Sequence, residues 1–228
     1  MENGLLKTFV DDSGFVRNEE TMTELIEQFQ DFQTFMMMYN CAIKEVRTKF
    51  EVLNDELSVT NKRNPIQMIK SRVKKPLSIV NKLKRKNFEM SMTSILDNIN
   101  DVAGVRVICA FVNDIYDVAD MFASQDDIRV LQVKDYIKNP KPNGYRSYHM
   151  IVEIPVFFTN RKQYMKVEVQ LRTIAMDFWA SLEHSMKYKK DIPDAESIMV
   201  QLKDCAEAIA ATDLQMQEIN DTISGNKL

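Results

Sequence analysis

The stretch "YHMIVEIPVFFTNRKQYMKVEVQLRT", Tyr148 to Thr173, decides how this chain folds. Its first part, Tyr148–Val156, is apolar enough for a strand buried in a sheet. Its second part, Tyr164–Leu171, alternates polar and apolar residues, as a strand with two unlike faces does. Between them FFTNRKQ carries Asn160-Arg161, which suits a turn, so the two strands form a hairpin. In the second strand Val167, Val169 and Leu171 take one face, and Lys166, Glu168, Gln170 and Arg172 the other. The polar face is either a solvated surface or the floor of a cleft in which Glu168 serves as a metal ligand or general base.

Upstream, Val105–Val112 (VRVICAFV) is a near-continuous apolar run suited to a strand buried on both faces. Ile115–Ala123 reads as a helix, Ile128–Val133 as a strand and Ile174–Tyr188 as a helix. Long helices bracket this core. Met22, Leu25, Phe29, Phe32, Met36, Tyr39, Ile43, Val46, Phe50 and Leu53 follow three-and-four spacing, one apolar stripe on one helix. Ile198, Leu202, Cys205, Ile209, Thr212, Met216 and Ile219 form a second stripe. Both helices pack on their own domain, or part of each stripe meets another subunit. The fold class is α+β, a mixed sheet flanked by helices. Residues 1–18 are poorly specified, and residues 19–228 read as one domain.

With 228 residues and a formal net charge of −3, the chain has ample material for a core but no global basic field for a nucleic-acid backbone. RNA binding is therefore not expected, and any anion site must be local. No apolar run is long enough to span a bilayer, and the amino terminus lacks a secretory layout. Cys41, Cys109 and Cys205 lie far apart in apolar contexts and read as buried free thiols of a reducing cytoplasm. Two histidines make a histidine-rich metal site improbable on composition, and fifteen methionines read as pliable packing.

Three further stretches carry polar groups at informative spacing. In "SRVKKPLSIVNKLKRK", Ser71–Lys86, Pro76 suits the first turn of a helix. Ser78, Lys82 and Arg85 then share one face, with Ile79, Val80 and Leu83 on the other. Arg72 and Lys74 point to one side of the incoming extended segment. Such a group suits a polyphosphate at a helix amino terminus, and equally a solvated basic face. In "DVAGVR", Asp101–Arg106, Asp101 precedes a buried strand, where a carboxylate either holds Mg²⁺ or caps a turn. Gly104 allows close approach of a ligand or a backbone. In "NPKPNGYRSYH", Asn139–His149, a stiff turn presents Lys141, Asn143 and Tyr145, with His149 following. A ring held there is a stacking platform for a base, or one packed aromatic in an ordinary turn. Clustered cations, two separated carboxylates and an aromatic platform are the parts of a phosphoryl-type transfer between nucleotides. No GxxxxGK[ST] loop is present, which excludes a P-loop enzyme.

The stretches "RVKKPLSIVNKL", "DVAGVRVIC", "KDYIKNPKPNGYRSYH", "VEVQLRT" and "DFWASLEH" occur in this order between about Arg72 and Lys189. They resemble the synthetase domain of the RelA/SpoT-type (p)ppGpp synthetases. With no hydrolase domain expected ahead of the match and no regulatory domains after it, the chain is similar to the stand-alone small alarmone synthetases. "SRVK", "VKDYIKNPKPNGYRS" and "TIAMDFWASLEH" bring it nearest the RelP branch. The resemblance implies a nucleotidyltransferase-like fold, Mg²⁺, a cytoplasmic homotetramer joined through the terminal helices, and a stress-alarmone reaction. ATP would give its β,γ-pyrophosphoryl group to the ribose 3′-hydroxyl of GDP or GTP, releasing AMP. By the same resemblance, Arg72, Lys74, Ser78, Lys82 and Arg85 match the ATP-side motif, and Arg106 and Lys134 would also face ATP. Asp101 and Glu168 match the Mg²⁺ carboxylates, and Glu168 is also the candidate base. Lys141, Asn143, Tyr145 and His149 match the guanosine-side loop, with Tyr145 stacked on guanine; Gln170 and Glu183 are supporting positions. The related RelQ branch has arginine where this chain has Lys134, and lysine stacks less well on a base. It has asparagine where this chain has Asp177, in a region tied there to product binding. The added carboxylate implies weak or absent activation by product.

A nucleotide- or RNA-binding regulator on the same fold, without turnover, is the alternative. A helical oligomerisation adaptor would explain the two stripes but not the polar strand face. A binder tolerates Glu168→Gln, whereas a synthetase loses turnover and keeps nucleotide affinity.

Overall fold

The computed structural model describes residues 19–187 and 195–225. The expected poorly specified segment 1–18, and Tyr188 and Lys189 at the ends of the expected helix and motif match, lie outside the described residues. The chain divides into two compact units, Met1–Met38 and Tyr39–Leu228, and helix α1 (Glu19–Thr60) contributes to each. In the first unit Phe35 is buried and its ring stacks on Phe32, with Ile26, Phe29 and Met37 exposed. Met22 and Leu25, the first members of the expected stripe, precede the described side chains.

The second unit holds the sheet. Its elements are β1 (Ile66–Val73), α2 (Pro76–Arg85), α3 (Met92–Asn98), β2 (Ala103–Cys109), α4 (Val112–Ala123), β3 (Arg129–Asp135), β4 (Tyr148–Phe157), β5 (Lys162–Thr173), α5 (Ile174–Lys187) and α6 (Ala195–Ser224). The five strands lie in the order β1-β2-β5-β4-β3. β2 and β5 run parallel and every other pair is antiparallel. The sheet is therefore mixed and the class α+β, as the alternating patterns predict. β4 and β5 form the expected hairpin, closed where Phe158 N–H meets the Arg161 carbonyl.

The apolar face of the sheet makes the core. Val105, Val107, Val167, Val169, Leu171, Met150 and Val152 are all buried. α4 covers them with Ile115, Val118, Ala119 and Phe122, spaced three and four apart. Its amino terminus is fixed by Asp114, which accepts the Phe111 N–H and a two-bond grip from Arg63. The second half of α1 adds Tyr39, Ile43, Val46 and Phe50, and Phe50 stacks on Phe122 with centroids 4.3 Å apart. Burial lifts the Tyr39 hydroxyl to about 12.

Two expectations need correction. On α6 the buried face is Ala206, Asp213 and Gln217, joined by half-buried Leu202 and Ile209. The expected stripe runs one residue out of phase beyond Ile209, leaving Met216 and Ile219 exposed. Polar groups hold the helix there instead: Asp213 accepts from Thr173 Oγ1, and Gln217 accepts the Asn113 N–H. The cysteines are free, as expected, but only Cys109 is buried; Cys41 is half-buried and Cys205 exposed. Among the described residues no helix is long and apolar enough to cross a membrane.

Candidate active site

The polar face of the sheet carries two rows of aligned residues. In one, Lys70 faces Arg106, Arg106 aligns with Gln170, Gln170 with His149, and His149 with Lys134. In the next, Arg72 aligns with Gly104 and Gly104 with Glu168. Residues in register on neighbouring strands share a face, so five strands bring these side chains to one surface. Over the β1, β2 and β5 part lies an open cavity of about 240 Å³ lined by Arg72, Asp101, Gly104, Arg106, Glu168 and Gln170, with Lys70 and Ser71 at the β1 side. A Cβ at Gly104 would meet only the Arg72 carbonyl, at 3.8 Å. The missing side chain lowers the floor where a ligand would sit.

Asp101 stands just before β2 and is gripped by two lysines. Lys74 Nζ donates to Oδ2 at 2.8 Å, and Lys82 Nζ lies 2.8 Å from Oδ1 without good hydrogen-bond direction. Burial alone would raise the Asp101 carboxyl; the two lysines outweigh it and hold it below its ordinary value. Lys74 and Lys82 therefore act on the cavity through Asp101. Ser78 and Arg85 are exposed on α2 outside the cavity lining. At the amino terminus of α2, the expected polyphosphate position, the Ser78 N–H already reaches the Lys75 carbonyl.

Glu168 forms the opposite wall. Gln170 Nε2 donates to its Oε2 at 2.8 Å, and His149 Nδ1 lies 3.5 Å from its Oε1. Burial pushes the Glu168 carboxyl up, but His149 and Gln170 outweigh it and leave it below its ordinary value. Burial pushes the His149 imidazole down, and Glu168 only partly restores it. At neutral pH the pair is a carboxylate beside a neutral ring. Arg172 Nη2 donates to the Tyr145 hydroxyl at 2.6 Å, and that hydroxyl lies 2.8 Å from His149 Nε2. With its proton given to Nε2, the imidazole carries its own on Nδ1, toward Glu168.

The turn after β3 closes this side. Asn143 Oδ1 accepts the Tyr145 N–H and its Nδ2 donates to Glu183 of α5 at 3.0 Å. Gly144 has φ +84°, and a Cβ there would lie 2.5 Å from Ala206 of α6. Arg146 Nη1 ties the Gly144 carbonyl to that of Ala206. Lys141 Nζ sits 4.5 Å from the Tyr145 ring centre and 4.6 Å from that of Tyr136. Burial is the main reason its amine is shifted down, with Lys134 and Arg172 nearby. The Tyr145 ring is thus not a bare platform: Lys141 lies over it and the Arg172 guanidinium is 5.1 Å from its centre. Lys134 is exposed beside this turn, away from the α2 cations.

Among the described residues no three His, Cys, Asp or Glu side chains form a metal cluster. Two carboxylates on one cavity suit Mg²⁺ nonetheless, because it keeps several waters and takes substrate phosphate oxygens. Arg106 Nε is buried without a hydrogen-bond partner among the described residues, a donor free for such an oxygen.

A sequence model described as a region found in RelA/SpoT proteins matches residues 71–193. The chain is 44% identical over 202 residues to the GTP pyrophosphokinase YwaC of Bacillus subtilis, covering 89% of this chain and 96% of that protein. The chain belongs to the RelA/SpoT family. Among solved structures, small alarmone synthetase 2 from Bacillus subtilis matches with TM-score 0.75 and 45% identity, covering 84% of this chain and 99% of that one. Small alarmone synthetase 1 from the same organism, bound to its product pppGpp, matches with TM-score 0.79 and 33% identity, covering 85% and 98%.

In this RelA/SpoT protein the sequence patterns missed three site neighbours. Arg172 was legible only as one more polar residue of β5, yet it is buried and holds Tyr145, Gln170 and Ser147. Tyr136 meets the Tyr145 and His149 rings edge-on. Asp177, which the resemblance marks only as a departure, pairs with Arg106, Arg172 and Lys70. The period-two pattern of Glu168, Gln170 and Arg172 was the available signal for Arg172. For Asp177 the signal was an acid in the first turn of α5.

Proposed function

We propose that the chain is a (p)ppGpp synthetase like the small alarmone synthetases it resembles, transferring pyrophosphate from ATP to the ribose 3′-hydroxyl of GDP or GTP. The observation that carries this reading is the pair Asp101 and Glu168 on one cavity, between the cations Arg72 and Arg106 and the Lys141–Tyr145 turn. ATP phosphates lie against the cations, and the guanosine sits at the turn with its 3′-hydroxyl toward Glu168. The 3′-oxygen forms its bond to the β-phosphorus as the α–β bridge breaks. AMP leaves with the bridging oxygen, and the hydroxyl proton passes to Glu168, which is held ionised for that purpose. His149 and Gln170 fix the carboxylate's orientation. Asp101 and Glu168 would hold Mg²⁺, which would supply charge neutralisation at the phosphates; Asp101 would do so by giving up a contact with Lys74 or Lys82.

The same reading assigns Arg72 and Arg106 to ATP directly, Lys74 and Lys82 through Asp101, and Lys141, Asn143 and Tyr145 to the guanosine nucleotide. Ser78, Arg85 and Lys134 stand at the margins, Arg85 and Lys134 contributing through charge and Ser78 through its hydroxyl. The long motif stretches favour the RelP branch, and the nucleotide substrates favour the cytoplasm. Ile174, Phe178, Leu182 and Met186, four apart on α5 and 43–59% exposed, favour a homotetramer. α1 is continuous across residue 38, which favours one synthetase domain over 19–228. The Asp177 carboxylate is committed to cations of the cavity side, which favours weak product activation.

The double lysine grip on Asp101 is the observation that favours the alternative, a binding regulator without turnover. AMP release separates the two. It should require ATP, GDP or GTP, and Mg²⁺ together, and vanish in Glu168→Gln with nucleotide binding retained. Equal behaviour of Glu168→Gln and the unaltered protein would discard the synthetase.

A further inference from the structure

One carboxylate oxygen joins the two halves of the site. Asp177 Oδ1 accepts from Arg106 Nη1 at 3.0 Å and from Arg172 Nη1 at 3.1 Å. Arg106 lines the cavity, while Arg172 holds the Tyr145 hydroxyl through its other terminal nitrogen. Lys70 Nζ adds a third cation, 3.6 Å from Oδ2. Asp177 and Arg172 have 13% and 5% of their side-chain surface exposed, so solvent screens the contact between these two little. One negative charge against three positive ones leaves a surplus on the cavity side, where a phosphate would sit.

We propose that Asp177 is a positioning residue that couples the donor and acceptor halves through Arg106 and Arg172. This rests on reading the cavity as the ATP side and the turn as the guanosine side. The two guanidiniums share one acceptor. A phosphate that engages Arg106 draws it from Oδ1 and leaves that oxygen to Arg172. Arg172 then holds Tyr145, and through it His149, in one setting. Linkage makes the effect reciprocal: whatever ATP does for the guanosine nucleotide, that nucleotide does for ATP. The departure at residue 177 thereby gains a role inside the site.

The test is GDP affinity by calorimetry, with Mg²⁺, without and with saturating α,β-methylene ATP, whose pyrophosphoryl group cannot leave. The analogue should tighten GDP about fivefold or more. In Asp177→Ala the factor should fall below about twofold while GDP alone still binds. Asp177→Asn keeps the shape without the charge and should also lose most of the factor, which covers an unstable alanine variant. A purely structural role would lower the melting temperature and leave the factor intact. No coupling in the unaltered protein, or full coupling in a folded Asp177 variant, overturns the inference. Tyr145→Ala with undiminished GDP binding, or Arg72→Ala with undiminished analogue binding, would instead remove the site assignment, and this inference with it.

Discussion

Gly144→Ala puts the guanosine-side turn under a defined strain. Gly144 sits at φ +84°, where a side chain costs about 1–2 kcal/mol. The new Cβ would lie 2.5 Å from Ala206 Cβ and 3.4 Å from Lys203 Cα. Carbon atoms rest at roughly 3.5–4 Å, so the turn and α6 must part by about an ångström, an overpacking cost of about 1–3 kcal/mol. α6 is the stiffer partner. It is pinned by Thr173 to Asp213 and by Trp179 Nε1 to the Leu202 carbonyl. The turn therefore lifts, carrying Tyr145 and Lys141 away from His149 and Glu168. If about 1.4 kcal/mol or more of the strain is relieved only in the undocked turn, the GDP KM rises about tenfold or more. The ATP KM should stay within about twofold. Initial rates over a GDP series at fixed ATP, beside a thermal melt, measure both. Ala206→Gly in the same chain removes the clash but not the φ strain, and should restore part of the GDP KM. Unchanged KM and unchanged melting temperature in Gly144→Ala would refute the docking argument.

Three other outcomes follow from the same geometry. Asp101 is held below its ordinary pKa, so the folded state binds fewer protons there than the unfolded chain as pH falls. Its stabilisation is present above the unfolded value of about 4 and is lost as pH drops through the folded value. Asp101→Asn should melt lower than the unaltered protein at pH 7, with the gap closing below pH 4; a gap independent of pH contradicts the lysine grip. Thr173→Val removes the acceptor for the Met176 N–H at the start of α5 and the partner of Asp213, whose carboxyl burial already raises. It should cost about 1–2 kcal/mol in urea unfolding. Raising salt from 50 to 500 mM should raise the ATP KM several-fold through screening of Arg72, Arg106 and Lys70; a flat response would mean the cavity encloses its phosphates fully.

The central hairpin was legible because β4 and β5 carry clean patterns: one buried run and one strict alternation. β1 was not. Ile66–Val73 has a mostly exposed burial pattern at the sheet edge, so its sequence shows only an extended approach to Pro76. α3 is a seven-residue helix capped by Ser91, too short for periodicity to speak. The phase of α6 was misread because its buried face ends in Asp213 and Gln217, and hydropathy patterning cannot distinguish a satisfied polar contact from a solvent-facing one. In the site, Glu168, Gln170 and Gly104 were legible from strand alternation and a lone glycine. Asp101 was visible as a residue, but its lysine grip spans three segments and needs the folded register. Arg172 and Asp177 lie five apart across the β5–α5 junction, and their shared partner Arg106 comes from β2, so no local pattern links them.

The most direct test of the account is transfer of label from ATP carrying ³²P on its γ-phosphate to GDP or GTP, resolved by thin-layer chromatography, with Glu168→Gln alongside. The account predicts label on a guanosine product, AMP in equal amount, and a silent variant that still binds both nucleotides. Bound nucleotides without label transfer in the unaltered protein, or full transfer by Glu168→Gln, would contradict it.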